Sequence, residues 1–161
     1  MAGTIYETEY QRYLEEARTT LKNKPTEEYE KQQQLYHLIA DIYDASTDKQ
    51  ESTDHIMLAE HVCKLFPDRR DISILDYGCG TGRVTDQLAL RGFQNLHGLD
   101  PNASLLEKGK EKGHFKKIFQ LNSTGDHSAL PKNFYDVIVS SGTFFPSPTH
   151  PGYECFPILR E

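Results

Sequence analysis

The chain lacks tryptophan, holds two methionines, and carries cysteine only as Cys63, Cys79 and Cys155. An odd number of well-separated thiols gives neither a disulfide framework nor zinc-ligand spacing, so free thiols in a reducing, cytoplasmic setting are the simplest reading. The seven histidines are scattered, and no metal site is expected from them. Long hydrophobic runs are missing too. Nothing approaches the roughly 18 apolar residues that a membrane span needs, and the opening MAGTIYETEY has no apolar stretch of the kind a secretion signal requires. No excess of positive charge is present: 24 acids against 18 bases leave a formal charge of −6. That balance gives no general attraction to phosphate backbones, so nucleic acid is not an expected partner. Apolar residues make up 37% of the sequence and the mean hydropathy is −0.65. Much of the polarity sits in the first third, so the core must come mostly from the rest.

Periodicity divides the 161 residues in two. Over residues 5–22, Tyr6, Tyr10, Tyr13, Leu14, Ala17 and Leu21 recur at steps of three and four, one apolar stripe on a helix. Thr26 can cap a second helix over 26–44, with Leu35, Tyr36, Ile39, Ala40 and Tyr43 on its buried side. Residues 44–53 read as a polar loop, and 54–66 as a third helix stopped by Pro67. From Ile72 the pattern changes to strands at 72–75, 96–99, 117–121 and 135–139. Helices at 83–91 and 102–112 alternate with them, closed by Gly92 and Gly113. Strands alternating with helices over short links predict an α/β fold with a parallel, open sheet.

Between the first strand and its helix stands Asp76-Tyr77-Gly78-Cys79-Gly80-Thr81-Gly82. A turn this tight needs glycine for its backbone angles, and a ligand lying on the main chain needs side chains out of the way. Spacing narrows the ligand. A dinucleotide fingerprint is G-x-G-x-x-G; here the third glycine comes one position early, and Arg83 stands where that fingerprint has glycine. A carboxylate at Asp76 pointing into the loop suits a cationic or donor-rich ligand, whereas it would repel a pyrophosphate. A nicotinamide-dependent oxidoreductase is therefore the less favoured reading. Asp100 ends the second strand, the position that lies beside a ribose in a doubly wound sheet, where a carboxylate accepts from both hydroxyls.

This D-x-G-x-G-x-G pattern resembles the first motif of the class I S-adenosylmethionine-dependent methyltransferases. Pro101-Asn102-Ala103-Ser104-Leu105-Leu106-Glu107 is similar to the family's D-x-S-x-x-M-L-E segment after the acid, and Phe134–Val139 to its fourth strand. Tyr36–Asp44 resembles the Y-D-x-x-A-x-x-Y-D segment that closes over the cofactor in many of its small-molecule enzymes. The resemblance covers 36–161, which makes residues 1–35 an N-terminal helical extension. It implies a Rossmann-like doubly wound parallel sheet and S-adenosylmethionine as cofactor. Asp76, Gly78, Cys79, Gly80 and Gly82 would line the methionine part, and Asp100 and Pro101 the ribose, with Ala103 or Leu105 nearby. Leu121 and Asn122 would flank the adenine, while Tyr43 would belong to the lid. The family's acidic residue beside the adenine has its counterpart a few residues late, at Gly125-Asp126.

Methyl transfer from a sulfonium needs alignment and water exclusion more than a protein nucleophile. None is visible, and His127 and His150, both in loops, are given no role. Ser140-Ser141-Gly142-Thr143 replaces the N/D-P-P-Y/F motif of enzymes acting on base amino groups or glutamine amides, which points to another small-molecule or protein acceptor. The resembled domain has seven strands, of which four are readable. Residues 153–161 look like the helix before a fifth, so the domain is expected to be incomplete at its C-terminus, its later strands missing. That leaves a non-catalytic, cofactor-binding scaffold as an alternative to an enzyme.

Overall fold

A computed structural model of the chain describes residues 25–121 and 127–143. The expected helix at 5–22, Asn122, Gly125-Asp126, His150 and the segment 153–161 lie outside them. Three helices come first: α1 (Pro25–Ile39), α2 (Tyr43–Lys49) and α3 (Asp54–Leu65). Then follow β1 (Ser73–Tyr77), α4 (Arg83–Leu90), β2 (Asn95–Asp100), α5 (Ala103–Glu111), β3 (Lys117–Gln120) and β4 (Val137–Val139). The four strands form one sheet in the order β3-β2-β1-β4, every neighbouring pair parallel. The order turns back between β1 and β4, which places a crevice outside the carboxyl ends of those strands. The α/β architecture is the expected one.

Side chains of a strand alternate between faces, and the two faces of β1 feed two cores. Ile72 and Ile74 join Ala59, Val62, Val84, Leu88, Phe93, Leu96 and Val139 beneath α3 and α4. Leu75 and Tyr77 join Leu99, Phe119, Leu130 and Tyr135 on the other side. β1 is buried along its whole length, with Ile74 on one face and Leu75 and Tyr77 on the other.

The chain departs from its expected course over residues 26–53. A single helix over 26–44 followed by a loop is expected. Instead α1 ends at Ile39, a turn passes through Ala40–Ile42, and α2 occupies most of the supposed loop. The turn keeps helix-like hydrogen bonds, Ile42 N to Ile39 O at 2.9 Å and Ser46 N to Ile42 O at 2.9 Å, so the apolar spacing runs through it unbroken. The division at 35/36 falls inside α1, and Gln33 on its early side is bonded to Asn102 of the sheet domain. The fourth strand is shorter than expected. Tyr135 is fully buried ahead of it, and Asp136 pairs with Ser73 on β1 through both its amide and its carboxylate, at 2.9 and 2.8 Å.

Candidate functional site

The loop between β1 and α4 is folded back onto the end of β2. Gly78 N and Cys79 N both donate to Leu99 O, at 2.7 and 2.9 Å, and Gly82 N closes a turn onto Cys79 O at 2.7 Å. Gly78, Gly80 and Gly82 all have left-handed backbones, with φ of 73°, 52° and 83°. At Gly78 space as well as φ demands glycine, because a Cβ would come within 2.0 Å of Thr143 Oγ1. At Gly80 the surroundings are open. A Cβ there would meet only Leu105 Cδ1, at 3.8 Å. The exposed side of the loop at Gly80 can therefore take a ligand against the main chain.

Asp100 joins this loop to the turn after β2. One carboxylate oxygen accepts from Gly80 N at 3.0 Å and the other from Asn102 N at 2.8 Å. A carboxylate oxygen has two lone pairs, so each still has one to offer to a hydroxyl donor. Burial pushes the Asp100 carboxyl up to about 6, against the two backbone donors that favour its charged form.

Asp76 is placed differently from the sequence expectation. Alternation along β1 turns its side chain to the α4 face, together with Ile74, and away from the loop mouth. Its Oδ2 accepts from Thr85 N at 3.2 Å and from Thr85 Oγ1 at 2.8 Å, so it fastens the strand's end to the first turns of α4. Burial pushes it up to about 7; the bonds from Thr85 oppose this, and the negative charges of Asp100 and Asp86 add to it. It shapes the loop from beneath. Cys79 is also turned inward, with Sγ near Gly98 and Phe115, and burial raises its thiol well above the ordinary value. Its main chain is engaged within the loop, N–H to Leu99 O and carbonyl to Gly82 N, and a buried thiol with a raised value is poorly suited to act as a nucleophile. Gly82 is held by the Phe115 ring, which would stand 2.8 Å from a Cβ there, so its role is to let that ring pack.

Pro101 follows Asp100 directly, its carbonyl accepting from Gln120 Nε2 at 3.4 Å. Leu121 N reaches Asp100 O at 3.3 Å, which brings the end of β3 to the same edge. Leu105 is buried beside Gly80, whereas Ala103 faces solvent. Tyr43 begins α2 and lies edge-on to Tyr36, ring centres 5.9 Å apart. Ser140 and Thr143 donate to Tyr77 O at 2.9 and 3.2 Å, so the end of β4 lies beside the loop. His127 packs against Tyr77 at 5.9 Å.

Three contributors escaped the sequence reading. Asn102 caps α5, accepting from Ser104 N and Leu105 N at 3.1 Å each, while its amide donates to Gln33 O at 2.9 Å and Gln33 Oε1 at 3.2 Å. An asparagine before a helix is a capping signal and could have been found; its second partner could not. Thr85 carried no local signal; Asp44 stood in the segment that resembles the family's lid motif, but its partners Thr81 and Lys112 could not be read from there. Among the described residues no group of acids, histidines and cysteines could hold a metal, and no helix is long and apolar enough to cross a membrane.

Residues 74–156 match a family model described as a methyltransferase domain. Over 69 residues the chain is 30% identical to Methyltransferase-like protein 27 of Homo sapiens, covering 43% of this chain and 28% of that protein. Over 107 residues it is 29% identical to a malonyl-[acyl-carrier protein] O-methyltransferase of Priestia megaterium, covering 65% and 38%. The chain thus spans well under half the length of either curated relative. A Methanococcus maripaludis structure described as an S-adenosyl-L-methionine-dependent methyltransferase superposes with a TM-score of 0.54 at 20% identity, over 87% of this chain and 63% of that one. That likeness shows a shared fold.

Proposed function

The chain belongs to the methyltransferase domain family, and on that footing we propose that it binds S-adenosylmethionine across the carboxyl ends of β1 and β2 and passes the methyl group to an acceptor beside the end of β4. The observation that carries the reading is the left-handed glycine loop closed onto Asp100, open to a ligand at Gly80 and backed by a carboxylate with lone pairs to spare. The Asp100 carboxylate beside Gly80 suits a ligand that brings hydroxyl donors or positive charge, and opposes a pyrophosphate.

In this reading Gly78 and Gly80 present main chain to the methionine part, Asp100 with Pro101 takes the ribose hydroxyls, and Leu121 with Asn122 flanks the adenine. Tyr43 belongs to the lid. Bound there, the cofactor supplies a methyl group on a cationic sulfur. The protein's part is to hold that group in line with the acceptor and to exclude water. The acceptor is a small molecule or a protein-borne group; the Priestia relative is named for an acid carried on an acyl-carrier protein. A cytoplasmic setting is supported by the free thiols of Cys63 and Cys79. Parallel calorimetric titrations with S-adenosylmethionine and with NAD test the reading. Saturable heat with S-adenosylmethionine alone is expected, and binding of NAD alone would overturn it.

A further inference from the structure

We propose that Asp44 is a positioning residue, a latch that fastens the lid segment to the glycine loop and sets the loop's shape for the cofactor; this rests on the function proposed above. Asp44 stands in the first turn of α2. One carboxylate oxygen accepts from Thr81 Oγ1, and the other from Lys112 Nζ at 2.7 Å. Its main-chain oxygen accepts from Arg83 at 3.2 Å. Lys112, just past the end of α5, also pairs with Asp86 of α4 at 2.9 Å. The Asp44 side chain thereby joins the lid to the loop and to Lys112 at the end of α5, while its main chain reaches Arg83 of α4.

The neighbouring acids form a helical stripe with it. Asp41, Asp44 and Asp48 recur at steps of three and four, which puts them on one side of a helical path. Each meets a cation: Lys108 at 2.7 Å, Lys112 at 2.7 Å and Arg83 at 2.8 Å. Exposure separates them. The side chains of Asp41 and Asp48 are 82% and 69% exposed, and ion pairs in that setting contribute little. Asp44 is 35% exposed, and of the three it alone touches the loop.

Thr81 makes that contact consequential. It is buried to 2% exposure and sits between Gly80 and Gly82, two residues whose backbones resist few conformations. The bond from Thr81 to Asp44 therefore adds a side-chain tie to the middle of a segment held elsewhere by main-chain bonds of Gly80 and Gly82. Release of Asp44 loosens lid and loop together, so the cofactor must order both when it binds.

The test uses Asp44→Ala, Asp44→Asn, Thr81→Val and the Asp44→Ala/Thr81→Val double variant of the 161-residue chain. Each is titrated with S-adenosylmethionine, and ligand-free amide exchange is followed over 43–49 and 79–82. Asp44→Ala and Thr81→Val are each expected to weaken binding about tenfold or more, the scale of a hydrogen bond to a charged group. The double variant should be no weaker than the worse single. Asp44→Asn keeps an acceptor for Thr81 and should recover most of the affinity, which a general loss of stability would not explain. Both single variants should speed exchange in both segments. Additive losses, no recovery in Asp44→Asn, or wild-type affinity in Asp44→Ala would overturn the latch. A wild-type chain that binds no S-adenosylmethionine would overturn the proposed function instead. Exchange then judges the latch alone: unchanged protection of 79–82 in Asp44→Ala would sink it.

Discussion

At the scale of single residues, two acids on neighbouring strands beside the glycine loop, Asp76 of β1 and Asp100 of β2, do different work. Asp100 spans the glycine loop and the turn after β2 with one bond to each, which leaves each carboxylate oxygen a lone pair for a further donor. Asp100→Ala should therefore weaken S-adenosylmethionine binding strongly, since hydrogen bonds to a charged group are worth about 1.5–3 kcal/mol each. Calorimetry on the folded variant checks this, and unchanged affinity would remove Asp100 from the site. Asp76 shows where sequence reasoning stops. Its place at the strand's end was legible and its partner was not. Strand alternation gives the face, but the distance to Thr85 depends on how α4 packs. Asp44 is a sharper case. It meets Thr81 and Lys112 from 37 and 68 positions away, and neither periodicity nor spacing carries information over such separations.

Among elements, the glycine loop and α1 give the clearest expectations. Gly80→Val places a branched side chain in the open side of the cradle, at a φ of 52° that such residues resist. Cofactor binding should be abolished while the fold survives, because the backbone strain costs only roughly 1–2 kcal/mol. A thermal melt beside the titration separates the two effects. Asn102→Ala is expected to cost about 1 kcal/mol as a lost cap, and in addition to free α1, whose Gln33 it holds. Amide exchange over 30–39 should rise more than exchange within α5; equal changes would mean that packing alone holds α1. The alternation of strands and helices was readable because 3.6-residue and two-residue patterns differ. The turn at Ala40–Ile42 was not, because it preserves helical spacing while redirecting the chain. That redirection lets α2 bring Asp44 to the loop.

For the molecule as a whole, Asp76 and Asp100 link stability, pH and ligand. Their folded values are raised to about 7 and about 6, above the roughly 3.9 of an unfolded aspartate. Below about pH 4 both states hold their protons, and burial of these groups costs little. As pH rises past that value the unfolded chain ionises freely, while the folded chain keeps its protons until about pH 6–7. The contribution of the pair to stability therefore falls across this window and then levels off, by a few kcal/mol in order of magnitude. Asp76→Asn removes one of the two ionisations, and its amide oxygen can still accept from Thr85. Its melting temperature relative to the wild type should rise from pH 5 to about pH 7 and level off above that; a constant difference would show that Asp76 does not titrate there. A cationic ligand reverses the sign, because it favours the ionised acids and so drives proton release on binding. S-adenosylmethionine should accordingly bind more tightly as pH rises from 5 to 7, with its heat depending on the buffer's ionisation enthalpy. Buffer-independent heats would show that the two acids are already ionised before the ligand arrives.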